Sequence, residues 1–484
     1  MASEPTGESR LPMRTKLAFG VGSAAETIAL YSVGTYVLLY YNQVLGVRGI
    51  WVGLAISASL VLDAVIEPIV GSWSDRTKSH LGRRHPWMYA APIPIALSFI
   101  AIFWPPKVLD ELGLALWCAA SVTLLRQTMS VYHTPHLALG AELSPHYTER
   151  SKVMAYSSFF TWAGGSATAY IALTFFFPKS DKFHNGLLNP EPWPTFAIVM
   201  AVGAVALLFG SAWFTRDRIP YLPKPAHDVP NLSPREFFKD IGRALANVNY
   251  LWLLAGYFFL SMMIGLRAGL NLYAVGFFWE ISSSDIRYYI IGSFAGYATA
   301  FLFAARAHGR FDKKNTAIVA TLVYAVVPAI PLGLGQLGIL TAETPGLLPI
   351  LVSFAAVSYG AVSVLQISIA SALADVADEN ELRFGIRQEG ILYSTRAFAA
   401  KLDQAIGSAL AGLVLTLIAF PPKAKPGQID DSILAYLILW DGVLAAAPGL
   451  MAAICYSQYR INRAAYETTR NALAARRTAA APAE

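Results

Sequence analysis

Asp63 and Glu67 stand four residues apart in the otherwise apolar run LDAVIEPIVGSW, residues 62 to 73. On a helix that spacing puts both carboxylates on one face, and Pro68 immediately after them loosens the local backbone. An acid in the middle of a membrane-buried helix costs roughly 3 kcal/mol on insertion scales, so two on one face call for a basic partner, a water-filled cavity or a bound cation. Two carboxylates and a hydroxyl supply the oxygens that a hard monovalent cation takes, whereas a proton needs only one carboxyl group. The basic counterpart is Lys401 in RAFAAKLDQAIG, 396 to 407. A permanent structural salt bridge would satisfy one acid, and the second acid exceeds what one lysine neutralises. The expectation is therefore a coupling-ion site. Arg126, Arg267 and Arg396 are further charges in apolar surroundings, open to substrate contact, to snorkelling or to backbone carbonyls.

The same helix runs into a basic loop. Asp75 and Arg76 precede Arg83 and Arg84 in SDRTKSHLGRR. Candidate partners are Glu142, with Arg150 nearby, and the run ADVADENELRFGIRQE at 374–389, which holds Asp375, Asp378, Glu379 and Arg387. Such a cluster can latch one conformation until the surrounding elements move. The alternative is a set of surface ion pairs, each worth about 0–1 kcal/mol.

The elements that position these groups follow from composition. The chain has 484 residues, 55% of them hydrophobic and 14% charged, with a mean hydropathy of +0.46. That is more apolar residue than a soluble core of this length needs, and it marks a membrane protein. Apolar stretches long enough to cross about 30 Å of hydrocarbon lie near 16–46, 51–75, 86–105, 112–137, 151–177, 194–215, 248–276, 285–308, 314–337, 346–374, 388–420 and 433–460. Twelve transmembrane helices are the expectation. Of the 37 Lys and Arg residues, seven (Arg48, Lys107, Lys179, Lys182, Arg287, Lys423, Lys425) fall in the loops of one side. Arg126, Arg267, Arg396 and Lys401 lie within the stretches, and the other 26 share a side with both termini. The positive-inside rule makes that side cytoplasmic. The net charge of +6 is then mostly topology, and no nucleic-acid partner is implied.

The polar interruption between 215 and 249 divides the stretches into two sets of six. The expected organisation is a bundle at 1–215, a cytoplasmic linker at 216–247 with an amphipathic helix starting at Ser233-Pro234-Arg235-Glu236, and a bundle with a tail at 248–484. One shift of 237 positions maps Asp75 onto Asp312, Arg76 onto Lys313, Glu142 onto Glu379, Arg150 onto Arg387, Tyr156 onto Tyr393 and Ser157 onto Ser394. Two parallel six-helix repeats are the architecture of the major facilitator fold. Gly71-x-x-x-Asp75-Arg76 with Gly82-Arg83-Arg84 resembles the signature between its second and third helices, and HGRFDKK at 308–314 is a degenerate copy.

D-x-x-x-E-P-x-x-G-x-x-S-D-R-T…G-R-R-x-P-W at 63–87, with A-D-x-A-D-E-x-E-L-R-x-G-x-R-x-E-G at 374–390 and the eleventh-helix lysine, resembles the glycoside-pentoside-hexuronide:cation symporter family. The likeness runs from LAFGVGSAAET in the first helix over nearly the whole chain. It implies a cation site at Asp63 and Glu67 with the fourth-helix hydroxyl of Ser130, and Lys401 as charge partner. An asparagine of the melibiose carrier's cation site is Ile66 here. On the substrate side the melibiose carrier's acid of helix 1, acid and tryptophan of helix 4 and arginine of helix 5 fall on Thr27 (beside Glu26), His133, Leu137 and Ser158. Every compared sugar ligand differs, and loss of the stacking tryptophan argues against a galactoside held in that pose. His133 can serve as a substrate or proton group, or as a helix-packing histidine.

The resulting expectation is a cation-coupled symporter, sodium or proton, of a glycoside-like or other small polar organic solute, working by alternating access. A lysolipid or amphiphile symporter and a non-transporting membrane scaffold are the alternatives. No phosphate-binding loop, HExxH or nucleophile elbow points to an enzyme. Cys118 and Cys455 suggest two inert thiols, and no cleaved signal peptide is read at the N-terminus. No cofactor is expected beyond the coupling ion, with a sodium ion the sole metal. The expected partners are the solute and the lipid bilayer, and the expected form is a monomer in the plasma (inner) membrane with both termini cytoplasmic.

Overall fold

The computed structural model describes residues 11–144, 146–222, 242, 245–384 and 389–480. The amphipathic helix expected from Ser233 and the gate residue Arg387 lie outside the described residues. The chain divides into two compact units. The first comprises Met1–Val47, Ala58–Pro178 and Leu187–Leu232, and the second comprises Arg48–Ser57, Lys179–Gly186 and Ser233–Glu484.

In chain order the first six long helices are α1 (Met13–Leu39, continued by the π-helical turn Tyr40–Leu45), α2 (Gly49–Arg76), α3 (His85–Phe103, interrupted at Ala91), α4 (Glu111–Glu142), α5 (Tyr147–Ile171) and α6 (Trp193–Thr215). The next six are α7 (Val248–Tyr273), α8 (Tyr289–Phe311), α9 (Lys313–Gln336), α10 (Leu347–Phe384), α11 (Glu389–Leu417) and α12 (Asp431–Ser457). An amphipathic helix α13, Arg463–Ala480, follows. Among the described residues nine spans combine length with high hydropathy. The more polar α4, α5 and α8 are long enough at 32, 25 and 23 residues. Their lower hydropathy comes from side chains such as Arg126, Ser130 and His133 in α4. Among the described residues every regular element is a helix, and the run of twelve long helices is the one expected of a membrane protein with the major facilitator fold.

Side chains at the loop ends satisfy the orphan amides of several helices. The Asp110 carboxylate accepts from Gly113 N at 2.8 Å to start α4, and the Asn247 amide oxygen accepts from Asn249 N at 2.8 Å and Tyr250 N at 3.1 Å to start α7. Gly46, with φ of 91°, ends the π-helical turn after α1 in a conformation that costs a side-chain-bearing residue more.

In the first unit an aromatic core joins α1, α3 and α6. Trp193 stacks on Phe103 with ring centroids 5.4 Å apart, and Phe196, Phe99 and Tyr36 close round them. The core of the second unit runs through Tyr250, Leu260, Met263, Leu365, Leu373 and Tyr456. Helices in lipid gain little from the hydrophobic effect and depend on close backbone packing at small residues. A Cβ on Gly164 would lie 2.6 Å from the Ala24 carbonyl oxygen, and one on Gly407 would lie 2.7 Å from Gly265 Cα. These glycines are contact points of α5 with α1 and of α11 with α7.

Helix α2 is divided between the units. Its first turns pack on α11, where Ser57 Oγ donates to the Ala405 carbonyl at 2.6 Å and Ile50 N donates to Thr416 Oγ1 at 3.1 Å. The remainder of α2, with Asp63 and Glu67, belongs to the first unit.

Candidate functional site

Two polar clusters lie inside the first unit, both against one stripe of α4. Arg126, Ser130, His133 and Leu137 follow one another at spacings of four, three and four, which aligns them along a single helix face. Pro135 sits within this segment, removing a backbone N–H and loosening the turn.

The first cluster is built on Asp63. The Ser130 hydroxyl donates to Asp63 Oδ1. Both residues are buried, at 6% and 4% exposure, and Glu67 lies one turn further along α2, half-buried. The buried Arg126 is within electrostatic reach of Asp63. Its Nε has no hydrogen-bond partner among the described residues. The structure thus brings together Asp63, Ser130 and Arg126. Lys401 belongs to the second unit, on α11, half-buried.

The second cluster is built on Glu26 of α1, buried at 6% exposure. One carboxylate oxygen meets His133 Nδ1 at 2.6 Å and the other meets His136 Nδ1 at 2.7 Å. His136 Nε2 lies 3.0 Å from the Phe19 carbonyl oxygen. A carbonyl only accepts, so Nε2 carries a proton. The Nδ1 of the same ring then faces a carboxylate oxygen, and a hydrogen bond there needs a further proton on one of the two atoms. The Glu26–His136 pair therefore holds one proton more than a carboxylate and a neutral imidazole. His136 is buried, whereas the side chain of His133 is 39% exposed. Around them Tyr132 lies at a ring-centroid distance of 5.3 Å from His136, Ser23 and Ser157 share a 2.7 Å hydrogen bond, and Thr27 Oγ1 donates to Ser23 O at 2.9 Å. Leu137 and Ser158 are both exposed.

Sequence reasoning passed over His136. The signal was the H-x-x-H spacing on α4, one turn apart, opposite an acid in α1. Asp403 was also passed over: it is 1% exposed, with no hydrogen-bond partner for either carboxylate oxygen among the described residues. In the second unit Arg267 donates to the backbone carbonyls of Tyr324 and Ala325, each at 2.6 Å. Arg396 lies over the Tyr257 ring, 5.0 Å from its centroid.

Charge clusters sit at the loop ends of both units. In the first, Arg84 bridges Asp75 at 2.5 Å and Glu142 at 2.7 Å, Arg83 reaches the same Glu142 oxygen at 2.8 Å, and Ser74 Oγ accepts from Arg84 at 2.9 Å. Arg76 at the end of α2 and Arg150 on the first turn of α5 are both exposed. An additional node is Glu149, which pairs with Lys16 at 2.6 Å and Lys152 at 2.7 Å. Those two ammonium groups hold its carboxyl at about 2, below the ordinary 4.5. In the second unit Lys313 pairs with Asp375 at 2.8 Å. Glu379 accepts from Arg383 at 2.7 Å and from the amides of Asn247 and Asn249, each at 3.0 Å. Asp378 follows Asp375 by one turn on α10. The repeat-related acids Glu142 and Glu379 thus have different partners, two arginines in one unit and two asparagines with one arginine in the other.

An uncharacterized symporter of Synechocystis is 26% identical, covering 98% of this chain and 99% of its own. The isoprimeverose transporter of Lactiplantibacillus pentosus is 22% identical over 84% of this chain and 81% of its own. Among solved structures the nucleoside transporter NupG superposes with a TM-score of 0.58 at 15% identity, over 92% of this chain and 99% of that one, a likeness of fold. The family model described as MFS/sugar transport protein matches residues 18–463. This chain belongs to that sugar-transport family of the major facilitator superfamily, and it is a membrane transporter and no enzyme.

Proposed function

We propose that the protein is a cation-coupled symporter of a glycoside-like or other small polar organic solute, with Asp63, Glu67 and Ser130 as its cation seat. The observation that carries this reading is the buried Ser130–Asp63 contact: oxygen ligands from two helices, with a second carboxylate one turn away. A sodium ion or proton there offsets negative charge that is costly in lipid, and it weakens the hold of Asp63 on neighbouring cations such as Arg126 and, in this reading, Lys401. The freed groups are then available to order the solute site of this reading. One charge moving down 100 mV supplies about 2.3 kcal/mol, enough for roughly 50-fold accumulation.

The substrate groups in this reading are the α4 stripe from His133 to Leu137 with Glu26, Thr27 and Ser158, and Arg267 and Arg396 from the second unit. The gate is Asp75, Arg76, Arg83, Arg84, Glu142 and Arg150 in the first repeat, with Asp375, Asp378, Glu379 and Arg387 in the second. In this reading the distribution of Lys and Arg makes both termini cytoplasmic, and the protein is a monomer in the plasma (inner) membrane. The names of the symporter and sugar-transporter relatives support the same class.

A second reading has its own observation. The extra proton of the Glu26–His136 pair favours proton coupling through that cluster, with the more exposed His133 as the exchange point. Reconstituted protein separates the two after a solute-library screen has supplied a substrate. Asp63→Asn or Glu67→Gln should abolish uptake driven by a sodium or proton gradient and spare solute exchange. Stimulation by sodium at fixed pH, against stimulation by a pH step, names the ion. Unchanged gradient-driven uptake in both variants would sink the cation-seat reading, and transport that follows acyl-chain length would replace the polar solute with an amphiphile.

A further inference from the structure

Between α8, α9 and α10 of the second unit lies a cavity of about 610 Å³ whose walls are small and apolar, including Gly296, Ala307, Ala320, Val323, Ala361 and Val364. At one end α8 and α10 meet backbone to backbone: a Cβ on Gly296 would lie 2.4 Å from the Ala356 carbonyl oxygen. Between that contact and the loop joining α8 to α9 the lining side chains are mostly small and leave the gap unfilled. Along α9 and along α10 the lining spans about eight residues, or about 12 Å at 1.5 Å per residue, which is near the hydrocarbon depth of one leaflet. A void of this size in a well-packed protein forfeits the dispersion contacts of its whole lining unless something apolar enters it. Inside a bilayer the available filler is an acyl chain.

The loop end of the cavity supplies the second half of a lipid's chemistry. Phe311 and Asn315 line that end. The Arg310 guanidinium lies 5.6 Å over the Phe311 ring, and Lys314 is adjacent in the sequence to Asn315. Segment 306–314 carries Arg306, Arg310, Lys313 and Lys314 against Asp312 alone. Lys313 is engaged with Asp375. Among the described residues no carboxylate pairs with Arg310 or Lys314. An apolar slot one leaflet deep with unneutralised basic side chains at its mouth matches an anionic glycerophospholipid: chain inside, phosphate outside.

We propose that the α8–α9–α10 cavity is a binding site for one anionic phospholipid of the leaflet bordering loop 306–314. Its acyl chain lies along Ala320 and Ala361, and its phosphate sits between Arg310 and Lys314. The site rests on the membrane embedding of these helices and is independent of solute and coupling ion, so its failure leaves the symport reading untouched.

Native mass spectrometry of the full-length protein, released from nanodiscs holding equal phosphatidylglycerol and phosphatidylcholine of matched chains, tests it. The wild type should retain phosphatidylglycerol preferentially. Arg310→Gln with Lys314→Gln should cut that preference by about thirtyfold, at roughly a factor of five per basic residue. Ala320→Leu or Ala361→Leu, which fill the slot, should reduce retention of both lipids. Equal retention of the two lipids by the wild type overturns the proposal. So does displacement of the lipid's preference by inorganic phosphate in the slot-filled variants as in the wild type, which would mark a free-anion site. The glutamine variants alter side chains at the loop, so the test stands even where a slot-filling variant fails to fold.

Discussion

Glu26 and His136 face each other across 2.7 Å, with the far nitrogen of the histidine held 3.0 Å from the Phe19 carbonyl. Both residues are buried in the α1–α4 contact, and two acceptors facing one imidazole call for a proton shared between Glu26 and His136. In ¹⁵N-histidine spectra of the purified protein near neutral pH, His136 should show two protonated ring nitrogens, or infrared difference spectra should show a carboxylic acid band that Glu26→Gln removes. A neutral imidazole beside an ionised Glu26 would refute the assignment.

Asp403 tests how a buried carboxylate behaves without partners. Both of its oxygens lack hydrogen bonds among the described residues, and an unsatisfied buried charged group costs more than the roughly 1–3 kcal/mol of a neutral one. Asp403→Leu keeps the branching at Cγ and removes the charge, so it should leave thermal stability unchanged or raise it, by about 1–3 kcal/mol. A large loss of melting temperature would mean that Asp403 holds a partner needed for folding.

Glu142 anchors two arginines of different exposure, 15% for the side chain of Arg83 and 5% for that of Arg84. Screening by water weakens the more exposed pair. Double-mutant cycles on melting temperature should therefore give a larger coupling for Glu142 with Arg84 than with Arg83, about 1–3 kcal/mol against less than about 1 kcal/mol. Equal couplings would contradict the burial argument.

The Glu149 node predicts an acid limit. Its carboxyl is held at about 2 by Lys152 and Lys16, against an ordinary 4.5. A depressed folded-state value means that the unfolded chain binds the proton first as pH falls. The stabilisation is fully present above about 4.5 and is lost as the pH drops from 4.5 towards 2. Melting temperatures of wild type and Glu149→Gln should differ most near neutral pH and converge as the pH approaches about 2. A gap that persists at low pH would assign the effect of the substitution to packing.

The long apolar stretches were legible in the sequence, because lipid forces backbone hydrogen bonds inward and demands long apolar runs. The π-helical turn after α1 and the interruption of α3 at Ala91 left no such signature. Asp63 and Glu67 announced themselves for a related reason: a carboxylate amid Leu, Val and Ile is expensive, so its presence alone is informative. Ser130, His133 and Leu137 were singled out through the resemblance to the symporter family, and helical spacing explains why they share one face of α4.

Partnership was beyond the sequence. Glu142 and Glu379 stand at equivalent repeat positions, yet one gathers Arg83 and Arg84 and the other gathers Asn247, Asn249 and Arg383. By sequence Arg267 was open to substrate contact, to snorkelling or to backbone carbonyls, and the structure gives two of its donors to the carbonyls of Tyr324 and Ala325. His136 is 110 positions from Glu26. Local rules reach one helical turn, so they set which face a side chain lies on. Which distant helix meets that face, and whether a charge there finds a carbonyl, a counter-ion or a shared proton, is decided only when the helices pack.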